Sequence, residues 1–257
     1  MSDFVSLNDI STLPPDHAEK ARAKTQAKAF ASVIGELVEQ FAAVQSHALL
    51  IIFQGMDASG KDGAVRAAFA RSTPAPLRVH SFKAPTPTER RHDFLWRVHK
   101  EVPAKGQIAV WNRSHYEDVL IQRVHGWIDE DKVDARFEAI NAFERNLQRD
   151  NDTVILKFLL HTSKEEQREQ LMERLLERDK NYKHNPGDWH ERERWDDYRA
   201  AYDDVLRRSE VPWTVVPTDK RWWRDFVVAR EVKAALEGLD MVWPDLPAGE
   251  SAGKYRS

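Results

Sequence analysis

The chain contains no cysteine. Disulfides, thiolate nucleophiles and cysteine-held metals are therefore excluded. Long apolar runs are missing too. The longest, Ala48–Phe53, is six residues, far short of the ~20 that cross a bilayer. The opening residues, Met1-Ser2-Asp3-Phe4, carry neither the basic nor the apolar character of a secretory signal, and a cytoplasmic protein is expected. Nor is there an excess of one charge: 39 Lys and Arg against 42 Asp and Glu leave −3 over 257 residues. That balance excludes a basic nucleic-acid coat and a basic membrane-surface protein, so neither nucleic acid nor membrane is an expected partner. The ten histidines form no His-Glu-x-x-His pair, and Gly-x-Ser-x-Gly is absent, so neither a zinc site nor a serine hydrolase is indicated. What remains is an ordinary globular composition, 41% apolar and 32% charged, with nine tryptophans.

No repeat or linker divides the chain, which reads as one domain over 1–257. Residues 1–16, with Pro14-Pro15, read as a loose lead-in. A helix is expected over about 16–46, capped by Asp16. Its Phe30, Ile34, Leu37, Phe41 and Val44 recur at spacings of four and three and are assigned to core packing rather than a dimer seam. Strands and helices then alternate. The strands fall at Ala48–Phe53, Leu77–Phe82, Gln107–Trp111, Thr153–Leu160 and Trp213–Val216. Helices are expected over Lys61–Arg71, Thr88–Lys100, Lys132–Leu147, from Ser163 to about Glu177, and over Trp222–Leu236. Helix-length crossovers between strands mean a parallel sheet covered on both faces. The tail after Asp240 is expected to be irregular.

The sharpest motif is Gly55-Met56-Asp57-Ala58-Ser59-Gly60-Lys61-Asp62-Gly63, which fits Gly-x-x-x-x-Gly-Lys. It follows the most apolar strand and opens a helix. Glycines let successive amides turn inward on phosphate oxygens, the helix N-terminus adds its dipole, and Lys61 adds a mobile charge. Asp62 stands where Ser or Thr usually ligates Mg²⁺. With Asp57 it puts two carboxylates beside a phosphate cradle, which would repel phosphate unless a hard cation lay between.

A second constellation ends the third strand: Trp111-Asn112-Arg113-Ser114-His115-Tyr116-Glu117-Asp118. Ligands bind at the carboxyl ends of parallel strands. Asn112 replaces the Asp of a Walker B strand, Arg113 is placed to grip a phosphoryl group, and Glu117 and Asp118 restore the carboxylates. Arg123 follows. Residues 161–210 hold 25 charged side chains, and Asn185-Pro186-Gly187-Asp188 breaks the helical pattern there. Two helices joined by a basic turn, between two strands, suggest a lid over about 178–192. Trp195, Tyr198 and Tyr202 are read as core packing.

Together, the Gly-Lys-Asp-Gly loop end, Ser81-Phe82-Lys83, the Asn112–Asp118 motif and Asn185–Asp188 resemble the second family of polyphosphate kinases, from about residue 17 to 240. The Asn-Arg-Ser-x-Tyr-Glu-Asp form resembles the subgroup that accepts both AMP and ADP. The resemblance implies an α/β, three-layer, thymidylate-kinase-like P-loop fold with a parallel five-stranded sheet and a helical lid. It implies transfer of the terminal phosphate of inorganic polyphosphate to AMP or ADP, ATP being a product, with Mg²⁺ or Mn²⁺, in a homo-oligomer (dimer or tetramer). By motif position, Asp57, Lys61, Asp62, Arg113, Glu117 and Asp118 would be catalytic, and Asp57, Asp62 and Asp118 would hold metal. Phosphate would be held by Gly55, Ala58, Ser59, Gly60, Lys61, Gly63, Lys83, Arg113, Arg123, Lys180 and Lys183. Tyr182 stands where relatives often have Trp, and His184 where they often have an apolar or aromatic residue. The residues by themselves also fit an ATP-dependent nucleotide or small-molecule kinase, or a non-catalytic nucleotide-binding P-loop protein.

Overall fold

A computed structural model describes residues 5–248 and residue 250. The sheet is built around β1 (Ala48–Gln54), every residue of which is buried. Its neighbours are β3 (Ile108–Asn112) and β4 (Thr153–His161), with β2 (Leu77–Ser81) and β5 (Trp213–Pro217) at the edges. The order is β2-β3-β1-β4-β5, and all pairings are parallel. Residues along a strand alternate between faces. Leu49, Ile51 and Phe53 therefore pack with α1 (Lys20–Val44), α2 (Lys61–Ala68) and α9 (Arg221–Glu237). Leu50 and Ile52 meet Trp111, Phe143 and Leu147 on the other face, the last two from α5 (Glu130–Asp150). Each of these large side chains contributes roughly 1.5–3 kcal/mol by leaving water. Gly35 lets α1 approach closely: a Cβ there would stand 2.6 Å from the Arg71 carbonyl oxygen.

The remaining helices are α3 (Trp96–His99), α4 (Ile121–Val124), α6 (Lys164–Leu176), α7 (Gly187–Glu193) and α8 (Trp195–Arg208). Ser163 caps α6 by accepting from the Glu166 amide, 3.1 Å. Trp195, Tyr198 and Tyr202 on α8 are buried, in a cluster with Tyr116, Phe137 and Leu159.

Several sequence expectations are corrected. Asp16 caps nothing: the Ala18 amide bonds to the Pro15 carbonyl (2.8 Å), and this turn delays α1 to Lys20, behind an uncapped Glu19. The helix expected over Thr88–Lys100 is broken into a 3₁₀ turn, Glu89–Arg91, and the short α3. Asp93 takes the Leu95 amide (3.0 Å), a local turn that competes with helix. The segment expected to be a lid, about 178–192, contains a 3₁₀ turn, Asn181–Lys183, before α7.

The lead-in is not loose where it is described. Leu7 is buried, and Asp203 on α8 receives both its amide (2.7 Å) and the Ser6 hydroxyl (2.6 Å). Thr12 donates to Asp219 (2.6 Å), whose other oxygen takes the Ser163 amide (2.8 Å) at the start of α6. This strap therefore joins the base of the lid. Residues 241–248 form no helix or strand, as expected of the tail. Met1–Phe4 and the end of the tail lie outside the described residues. No described helix is long and apolar enough to cross a membrane.

Candidate active site

β1 and β3 run side by side, with Phe53 in register with Asn112. The chain leaves β1 toward β2 and leaves β3 toward β4, so their carboxyl ends form the switch point where α/β proteins bind ligands. A cleft of about 820 Å³ opens there. Its floor is the loop between β1 and α2. Ala58 and Gly60 have φ of 63° and 94°, which turns the loop inward. Gly60 and Gly63 also admit the Arg224 guanidinium: a Cβ on Gly63 would stand 2.8 Å from its Nη2.

Lys61 is buried and donates to the carbonyls of Gly55 (2.8 Å) and Met56 (3.1 Å). Burial pushes its pKa down to about 8, partly offset by Asp57. Asp57 is ion-paired with Arg113. Its burial opposes ionisation, but Arg113 and Lys61 outweigh that and hold its carboxyl below the usual range. Arg113 itself adopts φ 62°, a left-handed conformation rare for a large side chain. Glu117 above all, and Asp57 after it, raise its pKa and keep it charged. Asp62 takes the Asn112 amide at 2.5 Å, and Glu117 takes the Gln54 amide at 2.9 Å.

The structure brings Asp57, Ala58, Ser59, Gly60, Lys61, Asp62, Gly63, Lys83, Arg113, Lys180 and Lys183 onto the walls of this one cleft. Gly55 and Glu117 sit directly behind it, through their bonds to Lys61 and Gln54. Two expected residues are not brought there. Asp118 is buried beside Arg97 (3.4 Å) and accepts from Gln122. Burial pushes its pKa up to about 6. The 3₁₀ turn His115–Asp118 rotates it inward while Glu117 stays at the strand end. Arg123 lies outside the cleft and pairs with Glu130 (2.6 Å) and Asp204 (2.9 Å).

Other residues of the cleft were not foreseen. Arg221 and Arg224 enter from the start of α9, and Arg174, paired with Asp188 (2.6 Å), from α6. A sequence signal existed for the first two. Lys220, Arg221 and Arg224 crowd the start of a helix with no acid in its first turn, where the dipole disfavours cations unless an anion binds nearby. Eight cationic side chains and five acidic ones line the cleft, a local excess of positive charge in a chain of net charge −3. Among the described residues, no three acids or histidines form a ready-made metal cage. The geometry fits a binder of phosphates.

Comparison with known proteins agrees with that geometry. Residues 17–242 match the family described as Polyphosphate kinase 2. The AMP/ADP-polyphosphate phosphotransferase of Meiothermus ruber is 43% identical over 212 residues, covering 81% of this chain and 79% of that one. The ADP-polyphosphate phosphotransferase of Rhodopseudomonas palustris is 38% identical over 227 residues, covering 82% and 78%. The crystal structure of polyphosphate kinase 2 from Arthrobacter aurescens TC1 superposes with a TM-score of 0.93 at 38% identity, covering 99% of this chain and 93% of that one.

Proposed function

From the premise that this chain belongs to the polyphosphate kinase 2 family, we propose that it transfers the terminal phosphate of inorganic polyphosphate to AMP and to ADP. The supporting observation is the wall of the cleft. Among the described residues, Phe82 is its only aromatic one, and that ring is buried against Trp111 (5.2 Å) and His80 (4.4 Å). Along these walls a donor finds cations and loop amides rather than a slot for a nucleobase. A phosphate chain suits that surface better than ATP does.

In the reaction, an oxygen of the acceptor's last phosphate attacks the terminal phosphorus of the chain. The bond from that phosphorus to the bridging oxygen breaks, and the shortened polyphosphate leaves with the electron pair. The acceptor oxygen is already anionic, so no strong base is needed. Catalysis is positioning and charge stabilisation. Lys61 exchanges its two carbonyl partners for phosphate oxygens. Arg113, held in place by Asp57 and kept charged by Glu117, faces the transferring group. Lys83 holds the chain from one side. Lys180 and Lys183 hold it from the lid, whose closure excludes water.

The donor set fits a hard cation in part. Mg²⁺ is commonly held by one or two carboxylates, the rest of its shell being phosphate and water. Asp62, whose bonded partner is a neutral amide, suits that role, and Asp57 could join it on leaving Arg113. Buried Asp118 does not fit. When bound, Mg²⁺, or Mn²⁺ in its place, would neutralise the phosphate oxygens. The same proposal takes the whole chain as one domain, with 178–192 as its lid, working in the cytoplasm as a homo-oligomer (dimer or tetramer).

The test is direct. The protein is incubated with Mg²⁺, long-chain polyphosphate and AMP or ADP, and the nucleotides are separated. ADP and ATP should form. Product with ATP as donor but none with polyphosphate would refute the proposal.

A further inference from the structure

Two neutral amides cross the gap between the ends of β1 and β3. Gln54, the last residue of β1, is fully buried and donates Nε2 to Glu117 Oε1 at 2.9 Å. Asn112, the last residue of β3, donates Nδ2 to Asp62 Oδ1 at 2.5 Å. The two bonds run in opposite directions, so each strand end grips an acid from the other strand's loop. The backbone fixes both donors. Phe53 and Asn112 are in register, and the Arg113 amide bonds to the Phe53 carbonyl at 2.9 Å.

A cation in either place would also orient its carboxylate, but it would cancel the charge, as Arg113 does for Asp57. An amide orients without neutralising. The orientation of Gln54 comes at a cost, because its Oε1 is buried and has no partner. Turning the amide over would set oxygen against the Glu117 carboxylate. The side chain thus gives up one hydrogen bond to keep the other.

We propose that Gln54 is a positioning residue for phosphoryl transfer, with Asn112 as its counterpart. The pair fixes Glu117 and Asp62 while leaving both charges free to act on the cleft. This rests on the proposed phosphotransfer and adds to it a residue that precedes the phosphate-loop motif. Glu117, so held, is the group that most favours the charge on Arg113.

The variants Gln54→Met and Gln54→Glu/Glu117→Gln test it. The first keeps length and burial and removes the donor. Its kcat for ADP phosphorylation, corrected for folded fraction, should fall about tenfold or more, with KM for polyphosphate changed less than about threefold. The second rebuilds an amide–carboxylate bond with its ends exchanged. It should recover thermal stability but not kcat, because the charge is now on the wrong strand. In nitrogen-15 spectra the Gln54 side-chain amide should exchange slowly in the wild type and vanish in Gln54→Met, a readout independent of turnover. Wild-type kcat in Gln54→Met, rapid exchange of that amide, or recovery of kcat in the swapped pair would each overturn the proposal. If the wild type uses ATP instead of polyphosphate, the donor reading fails, and the same kcat comparison, run with ATP, still decides the role of Gln54. No turnover with either donor overturns both.

Discussion

Behind the Asn112–Asp118 motif lies a buried ion pair whose removal should be costly in a specific way. Lys157 on β4 donates to Glu144 on α5 at 2.7 Å and to the Tyr116 hydroxyl at 2.6 Å. The side chains of both charged partners are 0% exposed. Replacing Lys157 with Met keeps the reach of the side chain and removes the ammonium. Tyr116 retains Ser209 at 3.0 Å, but Glu144 is left with His115 at 3.3 Å. With Lys157 present, burial above all lowers the pKa of that imidazole, so in the intact pair the charge opposite Glu144 comes from Lys157. Stranding a buried carboxylate costs about 3–5 kcal/mol. In a domain of this size each kcal/mol moves the midpoint by about 2–4 °C, so calorimetry should show a drop of roughly 6–20 °C. The double variant Lys157→Met/Glu144→Gln removes both charges and keeps an amide for His115. It should recover most of the loss, since neutral replacement of a whole buried pair is often without cost. A midpoint within about 2 °C of wild type for Lys157→Met, or a double variant as unstable as the single one, would refute the reasoning.

Three further outcomes are expected. Lys61, lowered to about 8 by burial, must be protonated to grip phosphate, so polyphosphate affinity measured by titration should fall about tenfold per pH unit above 8, and Lys61→Arg should flatten that slope. In stability the same group acts with the opposite sign: between about 8 and the ordinary 10.5 the unfolded chain holds a proton that the folded one has lost, so its contribution rises with pH. Gly35→Ala should destabilise by about 1–3 kcal/mol in urea unfolding, despite the better helix propensity of Ala, because the new Cβ meets the backbone of Arg71. Arg123→Ala should leave KM for polyphosphate within about twofold, while Lys183→Ala should raise it by about threefold or more; equal effects would show that Arg123 reaches the substrate.

The central strand, the phosphate loop and the five-stranded order of layers were legible because each rests on local pattern. Six apolar residues in a row, then glycines, then a helix admit few readings. Sequence spacing did not show that Asp118 and Arg123 lie away from the cleft while Glu117 sits directly behind it. One tight turn decides which of two adjacent acids reaches Gln54 behind the cleft and which pairs with Arg97, and sequence spacing does not resolve it. Arg174, Arg221 and Arg224 lie far from the loop in sequence and join it only through the fold, Arg174 from the last turn of α6 and the other two from the start of α9. Leu7 was missed because one apolar residue between Ser6 and Asn8 carries no periodicity. Its amide is held by Asp203, nearly two hundred residues away.

That strap bears on where the protein is taken to start. The family match begins at residue 17, after Ser6, Leu7 and Thr12 have made their bonds to α8 and to Asp219. A chain trimmed to the recognised segment would keep every motif and lose the anchor shared by the lid helix and the last strand's exit. The segment that matches the family model is thus shorter than the segment these bonds tie together, and a shortened version should hold α6 and α8 more loosely.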